Sequence, residues 1–130
     1  MWDIKTVANV ASFDEHKAKI TDLAFSENGF YFATAAEDSV VKVWDLRVLK
    51  TVHNINLGDG KIANALDFDY SGSYLGVAAG SGLKVFNTKT WEEIVQLNDH
   101  TGPVTDIKFG KDASTLVSVS LDRTLRFYGL

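Results

Sequence analysis

Short apolar runs separated by polar turns recur along the sequence, and their period is that of strands rather than helices. Ile20-Thr21-Asp22-Leu23-Ala24-Phe25 carries the period-two pattern of a half-buried strand. Ser26-Glu27-Asn28-Gly29 follows as a turn cluster. The stretch Phe30 to Ala36 predicts a second strand, and its small residues Ala33, Thr34, Ala35 and Ala36 let a neighbouring layer come close. Glu37-Asp38-Ser39 predicts a tight turn, and Val40 to Trp44 a third strand rich in β-branched residues. A fourth strand is expected within Leu49 to Leu57. Trp91 to Leu97 would allow a turn or two of helix, but its place in the pattern makes it an outer strand. Short strands at regular spacing argue an all-β fold.

The pattern repeats. Trp2, Trp44, Phe86 and Tyr128 stand 42 residues apart. His16 recurs as His100, Phe25 as Phe109, Thr34 as Ser118 and Asp38 as Asp122, each after 84 residues. A period of about 40–45 residues with Trp-Asp pairs, here Trp2-Asp3 and Trp44-Asp45, marks a WD-repeat β-propeller. Residues 1–130 are therefore expected to form part of such a propeller. The expectation is three blades' worth of four-stranded antiparallel sheets, with repeats at about 5–45, 46–87 and 88–130. Propellers have about 4–8 blades, so three do not close a ring. Open end blades would expose apolar faces and unpaired strand edges. The expectation is either further blades upstream or self-association of the open unit. Two chains would make six blades, each lending its Lys5 to Phe13 segment to the other's last blade.

Repetition decides how the polar residues are read. His100, Ser118 and Asp122 invite a serine-hydrolase triad. The same set recurs as His16, Thr34 and Asp38, and a structural element is far more readily duplicated at the repeat period than an active site. Both sets match the hydrogen-bond chain of WD blades, in which a His, a Ser or Thr, an Asp and a Trp are joined. His16, Thr34, Asp38 and Trp44 match it in full; His100, Ser118 and Asp122 match it with Tyr128 in place of the Trp. The middle repeat has Leu57-Gly58-Asp59 near the His position, Val77 for Thr, Gly80-Ser81-Gly82 for the acidic turn and Phe86 for Trp. Its blade must rely on apolar packing and is expected to be the least stable of the three.

Other constellations are weaker. Gly76, Gly80 and Gly82 lack the spacing of a phosphate loop and precede no helix. Three histidines, two of them absorbed by the repeat, and no cysteine leave no metal-ligand spacing, so neither metal nor cofactor is expected. Asp67 and Asp69 read as a solvated carboxylate pair rather than a catalytic dyad. Lys17, Lys19, Glu37, Lys61 and Leu121 fall in loops at one end of the blades, where binding residues concentrate, and are the candidate partner-binding positions. A net charge of −4, with basic residues only in small groups such as Lys17 with Lys19 and Arg123 with Arg126, disfavours direct nucleic-acid binding. No apolar stretch reaches the roughly 18 residues of a membrane helix.

Three longer runs carry a closer resemblance: residues 20–36, Val43-Trp44-Asp45-Leu46-Arg47, and Asp122-Arg123-Thr124-Leu125-Arg126-Phe127-Tyr128-Gly129-Leu130. With these runs and its degenerate middle repeat, the sequence resembles the C-terminal WD-repeats of the splicing-associated U-box ubiquitin-ligase family. The resemblance implies the last three blades of a seven-bladed ring. It also implies a nuclear protein acting in pre-mRNA splicing and DNA repair, whose propeller docks splicing-complex subunits and ubiquitination substrates. In that family the ligase activity belongs to a U-box and the tetramer to a coiled coil. Neither is present in this sequence, so no catalytic residue carries over. No small-molecule substrate and no membrane contact is implied. A generic WD-repeat assembly scaffold, unconnected with ubiquitin or splicing, remains the alternative. An enzyme built on the propeller has the weakest support.

Overall fold

The computed structural model describes residues 12–58, 60–111 and 114–129, together with the backbone of residues 2–3 and 8–9. Every described element is a strand or a turn. The strands are β1 (Trp2–Asp3), β2 (Ala8–Asn9), β3 (Ile20–Phe25), β4 (Tyr31–Ala36), β5 (Val40–Asp45), β6 (Lys50–Asn56), β7 (Ala63–Phe68), β8 (Tyr74–Ala79), β9 (Gly82–Asn87), β10 (Glu93–Leu97), β11 (Val104–Phe109), β12 (Thr115–Ser120) and β13 (Leu125–Gly129). They form antiparallel sheets in the orders β3-β4-β5-β6, β7-β8-β9-β10 and β11-β12-β13, with β1 paired to β2. The three larger sheets are the blades of an open WD-propeller unit. The first two have four strands and the third has three.

The expected strands form with small shifts. Trp91 to Leu97 is strand rather than helix, but it begins at Glu93 because Trp91 adopts a left-handed turn conformation (φ 58). Leu49, 42 residues earlier, does the same (φ 56), so each outer strand is entered through the same non-glycine left-handed residue. Of the segment Lys5 to Phe13, Ala8–Asn9 pairs with Trp2–Asp3 and Phe13 packs against Phe32 and Trp44. Lys5, Thr6, Val7, Val10 and Ala11 lie outside the described residues, as does Asp59.

Neighbouring blades share apolar layers. One buried cluster joins Val41, Val43 and Ile55 of the first blade to Leu66, Leu75, Val77 and Phe86 of the second. Another joins Ala78 and Leu83 of the second blade to Val104, Ile107 and Leu116 of the third. The second strand of each of the first two blades lies at a seam and must be thin. A Cβ on Gly76 would stand 2.9 Å from Ile107 Cδ1, closer than side-chain atoms tolerate.

The innermost strands add a polar seam. Each of β3, β7 and β11 shifts register between its first and third residues, the two-against-one pairing of a β-bulge. In the first two blades the second residue is thereby aimed across the seam. Thr21 Oγ1 donates to Ala63 O at 2.6 Å, and Asn64 Nδ2 donates to Val104 O at 3.1 Å. Two carboxylates follow the same direction: Leu66 N–H donates to Asp22 Oδ2 at 2.9 Å, and Phe109 N–H to Asp67 Oδ2 at 2.8 Å. These bonds occupy edge-strand amides that would otherwise offer a template to another chain. Farther out, His53 stacks on Trp91 at 4.8 Å.

Burial at one repeat position shows what the seam contributes. Leu66 and Ile107, which face a preceding blade, are 2% and 1% exposed, whereas Leu23 at the same position of the first blade is 52% exposed. Leu66→Ala in this chain should cost roughly 2–5 kcal/mol of stability. Leu23→Ala should cost about 0.5 kcal/mol or less. Urea denaturation of the two variants checks this, and equal losses would mean that the seam does not carry the packing.

Candidate functional site

The loop entering each blade and the turn between its second and third strands meet at one end of the sheet. In the first blade they are tied by a chain of side chains. Trp44 Nε1–H donates to Thr34 Oγ1 at 2.9 Å, and Thr34 Oγ1 lies 2.7 Å from His16 Nε2. His16 Nδ1 lies 3.0 Å from Asp38 Oδ2. One proton arrangement satisfies every member: the indole donates to the threonine, the threonine hydroxyl to Nε2, and Nδ1–H to the carboxylate. Asp38 then accepts the backbone N–H of Lys17 at 3.1 Å and of Val40 at 3.1 Å, fastening loop to turn. Glu37 N–H donates to Lys19 O at 2.8 Å in the same corner.

The third blade repeats the geometry. His100 Nε2 lies 2.7 Å from Ser118 Oγ, and Nδ1 lies 2.9 Å from Asp122 Oδ2. Asp122 accepts the N–H of Thr101 at 3.0 Å and of Thr124 at 2.8 Å. The order of contacts is that of a hydrolase triad, but Ser118 is 1% exposed, so no substrate carbonyl can reach its hydroxyl. The expected substitution of Tyr128 for Trp is only partly realised. Its ring joins the apolar cluster, yet its buried hydroxyl has no hydrogen-bond partner. Tyr128 therefore does not extend the chain as Trp44 does, and burial pushes its pKa up.

The carboxylates are electrostatically fixed. For Asp38, burial opposes ionisation, but His16 and the amides of Lys17 and Val40 outweigh it and hold the pKa below its ordinary value. For Asp122, the Thr124 hydroxyl leads, followed against burial by His100 and the amides of Thr101 and Thr124, and the pKa falls far below the ordinary 3.8.

The five candidate binding residues, Lys17, Lys19, Glu37, Lys61 and Leu121, are all exposed on the loops and turns of this end. Leu121, at 70% exposure, is anchored through its backbone, its N–H donating to Pro103 O at 3.0 Å. Asp67 and Asp69 lie at the opposite ends of the blades and are not the solvated pair expected. Asp69 is 2% exposed and accepts the N–H groups of Ser71 at 3.0 Å and Tyr74 at 2.7 Å, organising a turn. Asp67 is committed to the seam, and burial raises its pKa.

The second blade differs in its corner. Its turn is one residue shorter, with Ala79 paired directly to Gly82 and Gly80 at φ 58. In place of the His–Asp pair there is a pocket of about 250 Å³ between the loop at Leu57 and Lys61, the turn Gly80-Ser81-Gly82, and Lys84, Gln96 and Asn98. Sequence reasoning located the missing tetrad but not this space, because a cavity is set by the path of the shortened turn.

Sheets of this connectivity, chained at a fixed repeat and tied by His–Asp corners, define a WD-repeat protein. The family model described as "WD domain, G-beta repeat" matches residues 8–45 and 91–129, more than half of the chain, and the chain belongs to that family. The span between the two matches contains the blade without a tetrad. Over its whole length the chain is similar to Pre-mRNA-processing factor 19 homolog 2 of Arabidopsis thaliana, 47% identical over 136 residues covering 100% of this chain and 25% of that protein. Pre-mRNA-processing factor 19 of Oryza sativa subsp. japonica is 45% identical, covering 99% and 25%. The Homo sapiens protein of that name is 44% identical, covering 100% and 26%. The chain spans about a quarter of the length of these curated relatives.

Two outcomes are expected of the first blade's corner. Asp38→Ala should cost about 1–3 kcal/mol by leaving His16 and two amides underpaired, and Trp44→Ala about 3–5 kcal/mol by opening a cavity. Chemical denaturation measures both, and a Trp44→Ala loss no larger than that of a surface substitution would refute the assignment. Acid should act on both tetrads. Because the native pKa values of Asp38 and Asp122 lie below 3.8, their stabilising contribution is complete above that value. It is lost as pH falls from there towards the depressed native values. A denaturation midpoint that falls with pH in that window, and falls less in Asp122→Asn, checks the sign.

Proposed function

We propose that this chain is the partner-docking propeller region of a spliceosome-associated ubiquitin-protein ligase acting in the nucleus in pre-mRNA splicing and DNA repair. The observation that carries the reading is the likeness to pre-mRNA-processing factors along the whole chain. In this reading the three blades belong to a ring of seven. The region selects splicing-complex subunits and ubiquitination substrates, and ubiquitin transfer is the work of a U-box in the whole protein. Docking falls to the loop-and-turn end, where Lys17, Lys19, Glu37 and Leu121 offer charged and apolar groups on the two braced corners and Lys61 on the open one between them. The tetrads themselves are structural.

The test is retrieval of proteins from nuclear extract by the full chain, repeated with Lys17→Glu/Lys19→Glu and with Leu121→Asp. Splicing factors should be retrieved by the native chain. Each variant should retain less than about a third of them, as a loss of 1 kcal/mol or so in affinity implies. The far-ultraviolet spectrum should not change. Retrieval of a set without splicing factors would favour a generic assembly scaffold. Retrieval indifferent to the variants would move the docking surface elsewhere.

A further inference from the structure

In the first and third blades one carboxylate occupies the corner where loop meets turn. Asp38 and Asp122 each draw in the N–H of the loop residue that follows the histidine, Lys17 at 3.1 Å and Thr101 at 3.0 Å. Gly60 holds that loop position in the second blade, but the turn facing it, Gly80-Ser81-Gly82, has no acidic residue. The corner is open as a pocket of about 250 Å³. Among the described residues its charged lining is cationic, Lys61 and Lys84; Asp59, in the loop between Leu57 and Lys61, lies outside them. Lys84 Nζ has Glu93 at 3.7 Å, and Lys61 has no ion-pair partner among the described residues. Ser81, Gln96 and Asn98 line the rest with hydrogen-bonding groups, and all three are exposed. The remainder of the wall is apolar, formed by the buried Leu57 and Leu83.

We infer that this pocket receives a glutamate or aspartate side chain of a partner protein, which takes the place that Asp38 and Asp122 fill in the other blades. The inference rests on the docking reading above and names the chemistry of one contact within it. A carboxylate is the group the fold selects at this corner when it supplies one itself. The ammonium of Lys61 adds a charge-assisted hydrogen bond, stronger than a neutral one. The volume accommodates one acidic side chain against the apolar wall. An acidic segment bound here would lie across the exposed end of the middle blade, between the loops of its two neighbours.

The test uses the full chain and three probes: a labelled peptide of alternating Glu and Gly, the same peptide with Gln for Glu, and inorganic phosphate. Nitrogen–proton correlation spectra locate the contact, and fluorescence anisotropy gives its strength. The Glu peptide should move the amide signals of Gly80, Ser81 and Gly82 in a saturable way, and the Gln peptide should not. Lys61→Glu should weaken binding about tenfold, the size expected for one charged hydrogen bond. Ser81→Asp, which puts a carboxylate back in the turn, should abolish it. Both positions are exposed, and an unchanged His100 signal confirms that the third blade is intact. Equal binding of the Glu and Gln peptides, signal changes outside this corner, or indifference to Ser81→Asp would overturn the inference. Phosphate binding as tightly as the Glu peptide would overturn the assignment to a carboxylate. Failure here with splicing factors still retrieved in the extract experiment would remove this contact and leave the docking reading standing.

Discussion

Adjacent sheets can share one apolar layer only if the strands that meet at the seam have little bulk. That constraint governs the rest of this molecule. Ala33 and Ala35 in β4, and Gly76 and Ala78 in β8, keep the seams thin enough for Leu66 and Ile107 to be almost wholly buried. Only at that separation can the side chains of Thr21, Asp22, Asn64 and Asp67 reach main-chain groups of the next blade. The β-bulge at the start of each innermost strand provides the aim. Apolar packing supplies most of the cohesion, and the polar seam fixes which strand faces which.

The tetrads act at a different place and for a different purpose. They do not hold blade to blade; they hold loop to turn at one end of a blade. A buried chain of this kind is favourable only when every member is satisfied, and the first blade meets that condition from indole to carboxylate. The third does so without an aromatic donor, leaving Tyr128 with an idle hydroxyl. The second dispenses with the chain and closes its turn by shortening it. The loop-and-turn end thus consists of two braced corners with an open one between them.

Much of this was legible in the sequence, and the exceptions have physical causes. The strands, their order, the first blade's tetrad and the His–Ser–Asp chain of the third were readable because both partners of each interaction are side chains that recur at the repeat interval. The carboxylate seam was not, because half of each bond is main chain. The other half shifts as well: Asp22 is the third residue of its strand and Asp67 the fifth of its own, so no period links them. Asp67 and Asp69 were misread as solvated for a related reason. Backbone amides supply much of what holds these carboxylates, and an amide carries no signature in the residue that bears it. Tyr128 was expected to replace a tryptophan; its ring does so in the apolar cluster, but its hydroxyl makes no hydrogen bond of ordinary geometry.

The main-chain half of the seam bears on how such a protein can evolve. An amide is present at every position whatever residue stands there, so a blade keeps its ability to be gripped by its predecessor even when its own side chains change. Selection need preserve only the gripping carboxylate, on the other side of the joint. That asymmetry lets a repeat drift far from its siblings, as the middle one here has done, and remain seated in the row. The freedom it gains is concentrated at its exposed end, where new chemistry can be tried at small risk to the architecture.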